Sequence, residues 1–440
     1  MIKADRRVVI TGMGIISPIG CSADSLWQSV EQGVSGIGPL TRVPPDHLNT
    51  RVAAEVSDFT GSIDDFGELE KMTKRSIKKG LKLMCREIQM GVAASQLCLA
   101  DSQLSPEVYD PHRFGTMFGS DYIITEPWEF NRSVQHCLDA EHRFDPNRWG
   151  EQGIGQIDPL WLLKYLPNMP ASHVAIYNDL RGPSNSITVR EASANLAVGE
   201  AATIIQRDIA DQMLVGATGS RIHLLRTLHV VLQEQMVDVD DPRYGGDPQR
   251  ASRPFDLDRS GMVLGEGAGS LVLESLDVAE SRGAEILGEV VGHASTSVAD
   301  ARGVANYRQA FVNVLRGALR SADISPAEVG HINAHGLSSV RCDREEAEAI
   351  REVMGDEVPV LSLKGHMGNM GAGSGLVELN ASLLCMRHGR LFKALNYDTP
   401  DPDCPIHVVN ADGVEPGDLF INLSISMQGQ ASAVAVRRFS

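Results

Sequence analysis

Apolar and polar positions alternate along this chain in two successive series of strand-like and helix-like segments. In the first series the pattern predicts strands at 8–10, 113–119, 187–189 and 211–218, and helices at 22–32, 66–100 and 192–207. In the second series it predicts strands at 270–274, 285–292, 330–333, 358–363, 418–426 and 431–438, a helix at 307–322, and an acidic helix ending at Val353. Strands that alternate with helices twice over predict an α/β fold with an internal duplication.

One segment, residues 121–165, interrupts this alternation. It contains three prolines and three of the four tryptophans: Pro127, Pro146, Pro159, Trp128, Trp149 and Trp161. We expect it to be an insertion of loops and short helices that caps the core. No low-complexity linker separates the two series, so we predict two halves, residues 1–255 and 256–440, that share one interface.

Composition narrows the classes of function. A net charge of −17 argues against binding to nucleic acid or to anionic membranes. The residues from Met1 to Arg7 have no apolar signal-peptide core, and no run approaches the roughly eighteen apolar residues of a membrane span. Seven scattered cysteines without CxxC pairs indicate reduced thiols and a cytoplasmic location. No metal-binding motif is present, and we expect no metal.

Residues 182–193 predict a strand, a sharp turn and a helix, with Glu191 at the elbow. The helix N-terminus there supplies unpaired N–H groups and partial positive charge, which suit a nucleophile or an anion. The simpler interpretation is that Glu191 is an acidic first-turn residue that the helix dipole stabilises. The residues by themselves favour the simpler interpretation.

Two further segments carry polar side chains near glycines. In residues 333–339, His335 follows a strand, where it could donate to a thioester carbonyl or move a proton, or be an ordinary loop histidine. In residues 362–373, Lys364 either pairs with an acid such as Glu346 or orients polar groups in a cleft. His366, in the same segment, is either a displaced catalytic histidine or, as we expect, a packing residue.

A fourth segment alternates Asp and Arg over residues 252–261 and continues into a glycine-rich run at 264–269. We interpret it as a buried, ion-paired scaffold in which Glu266 has a structural role. The glycine spacing lacks the register of a dinucleotide-binding loop.

Together and in this order, the motifs resemble those of the β-ketoacyl-acyl carrier protein synthases, closest to the type II elongating branch. The resemblance covers nearly the whole chain, through the segments 8–14, 35–37, 168–169, 182–184, 252–259 and 333–336. It implies a thiolase-like, five-layered α-β-α-β-α body with two duplicated halves, usually in a dimer. It also implies a tunnel for the phosphopantetheine arm of an acyl carrier protein, and no cofactor beyond that arm.

The same resemblance assigns the catalytic positions. The acyl-accepting cysteine of the family falls on Glu191, its two histidines on His335 and Asn369, and its lysine on Lys364. A carboxylate is a poor nucleophile toward a thioester, and the mixed anhydride it would form is high in energy. We therefore expect that ordinary condensation is lost, as in the chain length factors, which commonly carry glutamine at this position.

Substrate-binding and docking positions follow from the same resemblance. The glycine-rich gate of the family becomes Ser426-Met427-Gln428-Gly429, and the Thr-Ser-Thr after the first histidine becomes Leu337-Ser338-Ser339. We expect substrate contacts from Met427, Gln428, Gly429 and Ser338. A basic cluster predicts carrier-protein docking, with a solvated helix face as the alternative; its members are Lys74, Arg75, Lys78, Lys79 and Lys82.

Three functions stay open at this point. The first is a chain-length-factor-like subunit that pairs with an active ketosynthase. The second is an enzyme with altered chemistry, a decarboxylase, hydratase or hydrolase of acyl thioesters that uses Glu191 and His335. The third is a catalytically silent acyl-binding protein. The resemblance implies an acyl carrier protein as partner. A heterodimer with an active ketosynthase fits the first function, and the choice between homodimer and heterodimer stays open.

Overall fold

A computed structural model describes residues 6–46 and 48–439. The strands are β1 (Val8–Ile16), β2 (Ile37–Pro39), β3 (Val52–Ala54), β4 (Phe114–Ser120), β5 (Ser184–Ile187), β6 (Gln212–Ser220), β7 (Leu264–Ser275), β8 (Gly288–Ser297), β9 (His331–Asn333), β10 (Pro359–Leu361), β11 (His407–Val408), β12 (Leu419–Ile425) and β13 (Gln430–Arg437). The helices are α1 (Ala23–Glu31), α2 (Lys71–Gly80), α3 (Arg86–Asp101), α4 (Asn131–His136), α5 (Met169–Asn178), α6 (Ser193–Gln206), α7 (Leu224–Gln233), α8 (Leu276–Ser281), α9 (Tyr307–Ala322), α10 (Val340–Met354), α11 (Lys364–Met367) and α12 (Ser374–His388).

The strand pairing repeats itself. In the first half the order is β5-β4-β6-β7-β1, and in the second it is β10-β9-β12-β13-β8. In each set the first two pairings are parallel and the last two antiparallel. The predicted duplication is therefore present in the topology. Along the chain, the strands of the first set end at Ser275 and those of the second set begin at Gly288. The division into two domains after residue 255 stays a prediction.

Helices and sheets stack in five layers. Helices α6 and α12 lie between the two strand sets, since each contacts strands of both. Helix α3 covers the outer face of the first set, and α9, with α10 beside it, covers the outer face of the second. The central position of α12 explains its composition, because every residue from Ser374 to Met386 is buried. A helix that is apolar all round needs neighbours on every side.

Several bounds differ from the sequence pattern. Strand β7 begins at Leu264, six residues before the prediction, because the glycine-rich run lies inside the sheet. A side chain at Gly265 would meet the carbonyl oxygen of Met367 at 2.6 Å, so glycine here permits close packing of the second half. Strand β1 likewise continues through its glycines to Ile16. The amphipathic helix predicted at 307–322 is α9, with the same bounds.

The predicted cap, residues 121–165, consists of α4 and single helical turns. Its aromatic side chains pack on each other: the Phe130 and Trp161 rings lie 5.1 Å apart, edge to face. Trp128 stays exposed. The prediction that no signal peptide is present rests on residues 1–7. Of these, residues 1–5 lie outside the described part of the chain. Across the described ranges, no helix is both long enough and apolar enough to cross a bilayer.

Candidate functional site

The chain turns sharply between β5 and α6. Arg190 has a left-handed backbone (φ 53°), and a single 3-10 turn, Arg190–Ala192, leads into α6. The backbone N–H of Val189 donates to Ser193 Oγ at 2.7 Å, which draws the chain away from the sheet. The predicted strand at 187–189 is therefore wrong in its bounds, since β5 ends at Ile187. The turn leaves Glu191 2% exposed, at the head of the helix.

Glu191 is held by two partners on the same oxygen. Arg221 Nη2 donates to Glu191 Oε1, and Asn369 Nδ2 donates to it at 3.0 Å. Burial by itself raises the pKa of Glu191, but the charges of Arg221 and Arg190 and the Asn369 amide outweigh burial and lower it below its ordinary value. Glu191 is therefore a paired carboxylate, and neither a free nucleophile nor a ready proton acceptor.

The orientation of Asn369 is fixed from its other side. Its Oδ1 accepts from the Gly371 backbone N–H at 3.0 Å and lies 3.4 Å from Ser374 Oγ. Its backbone N–H donates to the carbonyl of Val263 at 2.8 Å, which ties this loop to the start of β7. The amide nitrogen is thus directed at Glu191.

His335 and Lys364 form a second contact. Lys364 Nζ donates to the carbonyl oxygen of His335 at 2.7 Å and lies 3.4 Å from its Nδ1. Burial, together with the positive charges of Lys364 and Arg221, lowers the pKa of His335 well below its ordinary value. The imidazole is therefore neutral at pH 7.

The carboxylate partner of Lys364 differs from the predicted one. Lys364 Nζ donates to Glu378 Oε1 at 2.5 Å, from α12. Glu346 accepts instead from the backbone N–H groups of His335 and Gly336, at 2.6 and 2.8 Å. The suggested Lys364–Glu346 pair is wrong, because the backbone of the turn after β9 already occupies both oxygens of Glu346. Burial raises the pKa of Glu346 to about 8.

Two residues considered in the sequence have packing surroundings. His366 Nδ1 lies 2.9 Å from the carbonyl oxygen of Val34, and its ring meets Phe392 edge to face. Glu266 is fully buried and accepts from Arg86 Nη2 at 2.7 Å. Both observations fit the structural roles expected for His366 and Glu266.

The expected substrate-binding residues lie in two places. Met427, Gln428 and Gly429 form the turn between β12 and β13, in which Gln428 is exposed and the Met427 carbonyl accepts from Tyr307 Oη at 3.2 Å. Ser338 is buried; its Oγ accepts from the Arg253 backbone N–H at 2.9 Å, so it holds the loop. A role of these four in substrate binding stays a prediction.

The basic cluster forms an exposed surface. Helix α2 buries only Ile77, and Lys82 follows in the next turn. Lys74 is half-buried and pairs with Asp64 at 2.8 Å, while the other members are exposed: Arg75, Lys78, Lys79 and Lys82. The surface has the charge expected for an acidic partner, and its docking role stays a prediction.

The sequence analysis missed the charges that surround Glu191. Asp121 and Arg221 directly follow β4 and β6, which are parallel neighbours, so their side chains meet at one sheet edge, 3.4 Å apart. Arg226 then reaches Asp121 at 3.8 Å and Glu87 at 3.2 Å. We call these five buried residues, Glu191, Arg221, Asp121, Arg226 and Glu87, the elbow charge network. The sequence does contain a signal that could have revealed this network, because a charged residue directly follows each of two buried strands.

A second charged pair borders this network. Arg190 Nη2 lies 3.4 Å from Glu234 Oε1, and both side chains are nearly buried. Burial and the nearby charge of Glu191 raise the pKa of Glu234 above its ordinary value. The Tyr122 ring lies between two guanidinium groups, 5.7 Å from that of Arg190 and 4.7 Å from that of Arg226.

Comparisons with known proteins agree with this architecture. The family models "Beta-ketoacyl synthase, N-terminal domain" and "Beta-ketoacyl synthase, C-terminal domain" match residues 5–279 and 287–398. A 3-oxoacyl-[acyl-carrier-protein] synthase 2 of Synechocystis is 30% identical over 415 residues, which cover 92% of this chain and 91% of that protein.

Two solved structures extend the match to the fold. One is described as a type II polyketide synthase acyl carrier protein in complex with its ketosynthase bound to the hexaketide (25% identity, TM-score 0.83, 99% of this chain and 100% of the other). Another is the ishigamide ketosynthase/chain length factor (26% identity, TM-score 0.82, 99% and 100%). These matches confirm the predicted thiolase-like fold, and this chain belongs to the β-ketoacyl synthase family of fatty-acid and polyketide biosynthesis.

Proposed function

We propose that this chain is a non-condensing subunit, similar to a chain length factor, that pairs with an active ketosynthase and helps to receive acyl chains linked to a carrier protein. One observation carries the proposal: both Arg221 and Asn369 donate to Oε1 of Glu191, the residue that the resemblance aligns with the family's acyl-accepting cysteine. The other oxygen, Oε2, has no hydrogen-bond partner within the described protein.

The chemistry of Glu191 and Asn369 opposes acyl transfer. A thiolate attacks a thioester and departs again at similar cost, whereas a carboxylate would have to form a much less stable mixed anhydride. Ion pairing stabilises the charge of Glu191 further and makes the oxygen a still weaker nucleophile. Asn369 adds an amide where the resemblance places the family's histidine, and an amide has no ionisation near neutral pH with which to act as a general acid or base.

The seven cysteines offer no hydrogen-bonded substitute for a nucleophile at the elbow. All seven cysteines lie in the described part of the chain, and none forms a hydrogen bond with Glu191, His335, Asn369 or Lys364. Burial raises the pKa of Cys85 and of Cys385 to about 12 each, so these thiols stay protonated.

The partner follows from this loss. A subunit without a nucleophile contributes to condensation only beside one that has it, and one structural relative is a ketosynthase/chain length factor. We assign the exposed face of α2 to docking of an acidic acyl carrier protein, whose phosphopantetheine arm is the only cofactor involved. In this function the protein is cytoplasmic and dimeric.

The altered-enzyme alternative receives less support. A general base needs a pKa near the working pH, and the ion pair with Arg221 moves the pKa of Glu191 the other way. His335 is neutral and buried, so it could donate one hydrogen bond, but its lowered pKa makes it a weak proton acceptor.

Purification of the tagged full chain from its native host tests the proposal. We expect a ketosynthase to co-elute in equimolar amount. Intact-mass spectrometry after incubation with acyl carrier protein bearing an acyl group should show the acyl adduct on that ketosynthase and none on this chain. The outcome that contradicts the proposal is a stable homodimer that forms a carbon–carbon bond by itself. Turnover by the isolated chain that Glu191→Gln abolishes would favour the altered-enzyme alternative.

A further inference from the structure

The elbow charge network forms a continuous line of buried charges. It runs from Glu191 through Arg221 and Asp121 to Arg226 and Glu87, with successive contacts of at most 3.8 Å after the first pair. Arg221, which links Glu191 to Asp121, is fully buried. Its acidic and basic side chains alternate, so each interior member lies between two groups of the opposite kind; burial raises the pKa of the terminal Glu87 to about 7. Such a chain is stable only while its members keep those partners, because an unpaired buried charge is strongly unfavourable.

The space next to the network is filled. A Cβ atom at Gly371, whose φ is 62°, would lie 2.6 Å from Asp121 Oδ2 and 3.1 Å from Arg221 Nε. On the other side, the Tyr122 ring packs against the Arg226 guanidinium. Even one methyl group therefore has no room between the Gly371 backbone and these charges.

The remaining polar atoms also oppose an apolar neighbour. Glu191 Oε2 and Arg221 Nε and Nη1 have no hydrogen-bond partner within the described protein. A hydrocarbon chain offers neither donors nor acceptors, so its presence would keep these atoms unpaired in a medium of low dielectric constant.

An apolar cavity does exist, but it lies at the other end of the network. Its volume is about 420 Å³, and Glu87 and Arg226 form part of its wall. The rest of its lining includes the apolar Ile123, Ile124 and Ile222 and also the charged Arg42, Arg86 and Glu126. Since Glu87 and Arg226 are the last members of the network, the charged chain stands between this cavity and Glu191.

We infer that the elbow charge network closes the elbow of this chain to a hydrocarbon chain, with Arg221 as the specificity-determining residue. Given the partner-subunit function proposed above, the acyl group is then attached to the ketosynthase and does not enter the elbow of this chain. A subunit whose elbow is closed by this network can border the acyl chain, whereas a subunit with an open elbow can contain the chain. This also argues against a silent acyl-binding protein that would hold the chain at the elbow.

A photo-crosslinking experiment tests the inference. The probe is a dodecanoyl chain that carries a diazirine at its end and is joined to pantetheine by an amide, added to the full chain together with any co-purified partner. After irradiation and digestion, labelled peptides that contain Asp121, Glu191 or Arg221 are quantified. We expect wild-type labelling there to equal that of the dark control.

Removal of one opposite-charge pair should open the elbow. The variant Glu191→Ala/Arg221→Ala keeps the net charge, leaves Asp121 its contact with Arg226, and creates apolar room. We expect its elbow labelling to rise about tenfold or more. The matched control Arg351→Ala/Asp356→Ala removes an exposed ion pair of 2.8 Å and should label as the wild type does.

Two results would overturn the inference. In the first, the elbow labelling of the wild type is within about twofold of the elbow labelling of the folded double-alanine variant, which is too small a difference for a closed site. In the second, the folded variant stays as unlabelled as the wild type. If circular dichroism shows that the double-alanine protein does not fold, Glu191→Gln/Arg221→Met, which keeps the volume, decides by the same readout. A homodimer with an unlabelled elbow would refute the partner function and leave the closed elbow intact.

Discussion

Replacing Arg221 by alanine removes the guanidinium that faces Glu191 and leaves that carboxylate in the interior, with its side chain only 3% exposed. Removing one partner of a buried ion pair costs about 3–5 kcal/mol, because the other charge stays desolvated. The hydrogen bond from Asn369 to Glu191, 3.0 Å long, is retained. We therefore expect the lower part of this range, a loss of about 3 kcal/mol in the free energy of unfolding at pH 7.

The loss should depend on pH in a defined direction. In the wild type the pKa of Glu191 lies below its ordinary 4.5, so its stabilising effect is complete above that pH and declines as the pH falls below it. In Arg221→Ala, burial acts with less opposition and raises the pKa, so the folded variant takes up a proton more readily than the unfolded chain. The difference between variant and wild type should shrink as the pH is lowered from 7 towards 4.5.

Urea denaturation measures this difference, and the protein concentration is kept fixed because the proposed dimer would make stability depend on concentration. Arg351→Ala, which breaks an exposed pair, is the control and should lose less than about 1 kcal/mol. The double variant Glu191→Gln/Arg221→Met should recover about half of the loss or more, because no carboxylate is stranded at the elbow. A loss for Arg221→Ala as small as that of the control, with no change between pH 7 and 4.5, would refute the buried ion pair.

Three further changes test the surroundings of the site. Lys364→Met strands Glu378 and should lower the free energy of unfolding by about 3–5 kcal/mol in urea denaturation; a loss below about 1 kcal/mol would contradict the buried pair. Because the pKa of Glu346 is raised to about 8, wild-type stability should fall as the pH rises from 5 towards 8. The variant Glu346→Gln should flatten the profile of melting temperature against pH. An unchanged slope in this variant would exclude Glu346 as the source of the pH dependence. Gly371→Ala places a Cβ at positive φ and 2.6 Å from Asp121, so it should cost about 1–2 kcal/mol or more in the same urea assay, and a neutral effect would show that the backbone there can move.

Local pattern was sufficient where an element has one apolar face. Helix α9 was predicted with its observed bounds because its apolar residues recur at helical spacing and its polar face meets water. The same logic failed for β7, whose glycines indicate a loop in isolation. They lie in a strand because the backbone at Met367 approaches Gly265 too closely for a side chain, which is a contact between the two halves.

The pairing of buried charges was beyond local pattern. Lys364 lies 18 residues from Glu346 and 14 from Glu378 in the sequence, and either could have been its partner. The structure gives it Glu378, because α12 passes directly beside the lysine while the backbone N–H groups of the turn after β9 occupy Glu346. Which acid a lysine meets depends on how helices pack, and single-sequence spacing carries no such information.

The sequence by itself determined the family and the duplicated α/β fold, and the resemblance assigned Glu191 to the position of the family's cysteine, since these depend on the order and identity of residues along the chain. Only the tertiary structure decided what that glutamate does. Arg221, 30 residues further along, reaches it because β5 and β6 both pair in parallel with β4, so that their carboxyl ends share one edge, and Asp121, which follows β4, extends the pair into a network. A carboxylate at an elbow is a weak nucleophile from its chemistry alone, whereas its burial among opposite charges is a property of chain segments that meet only in the folded protein.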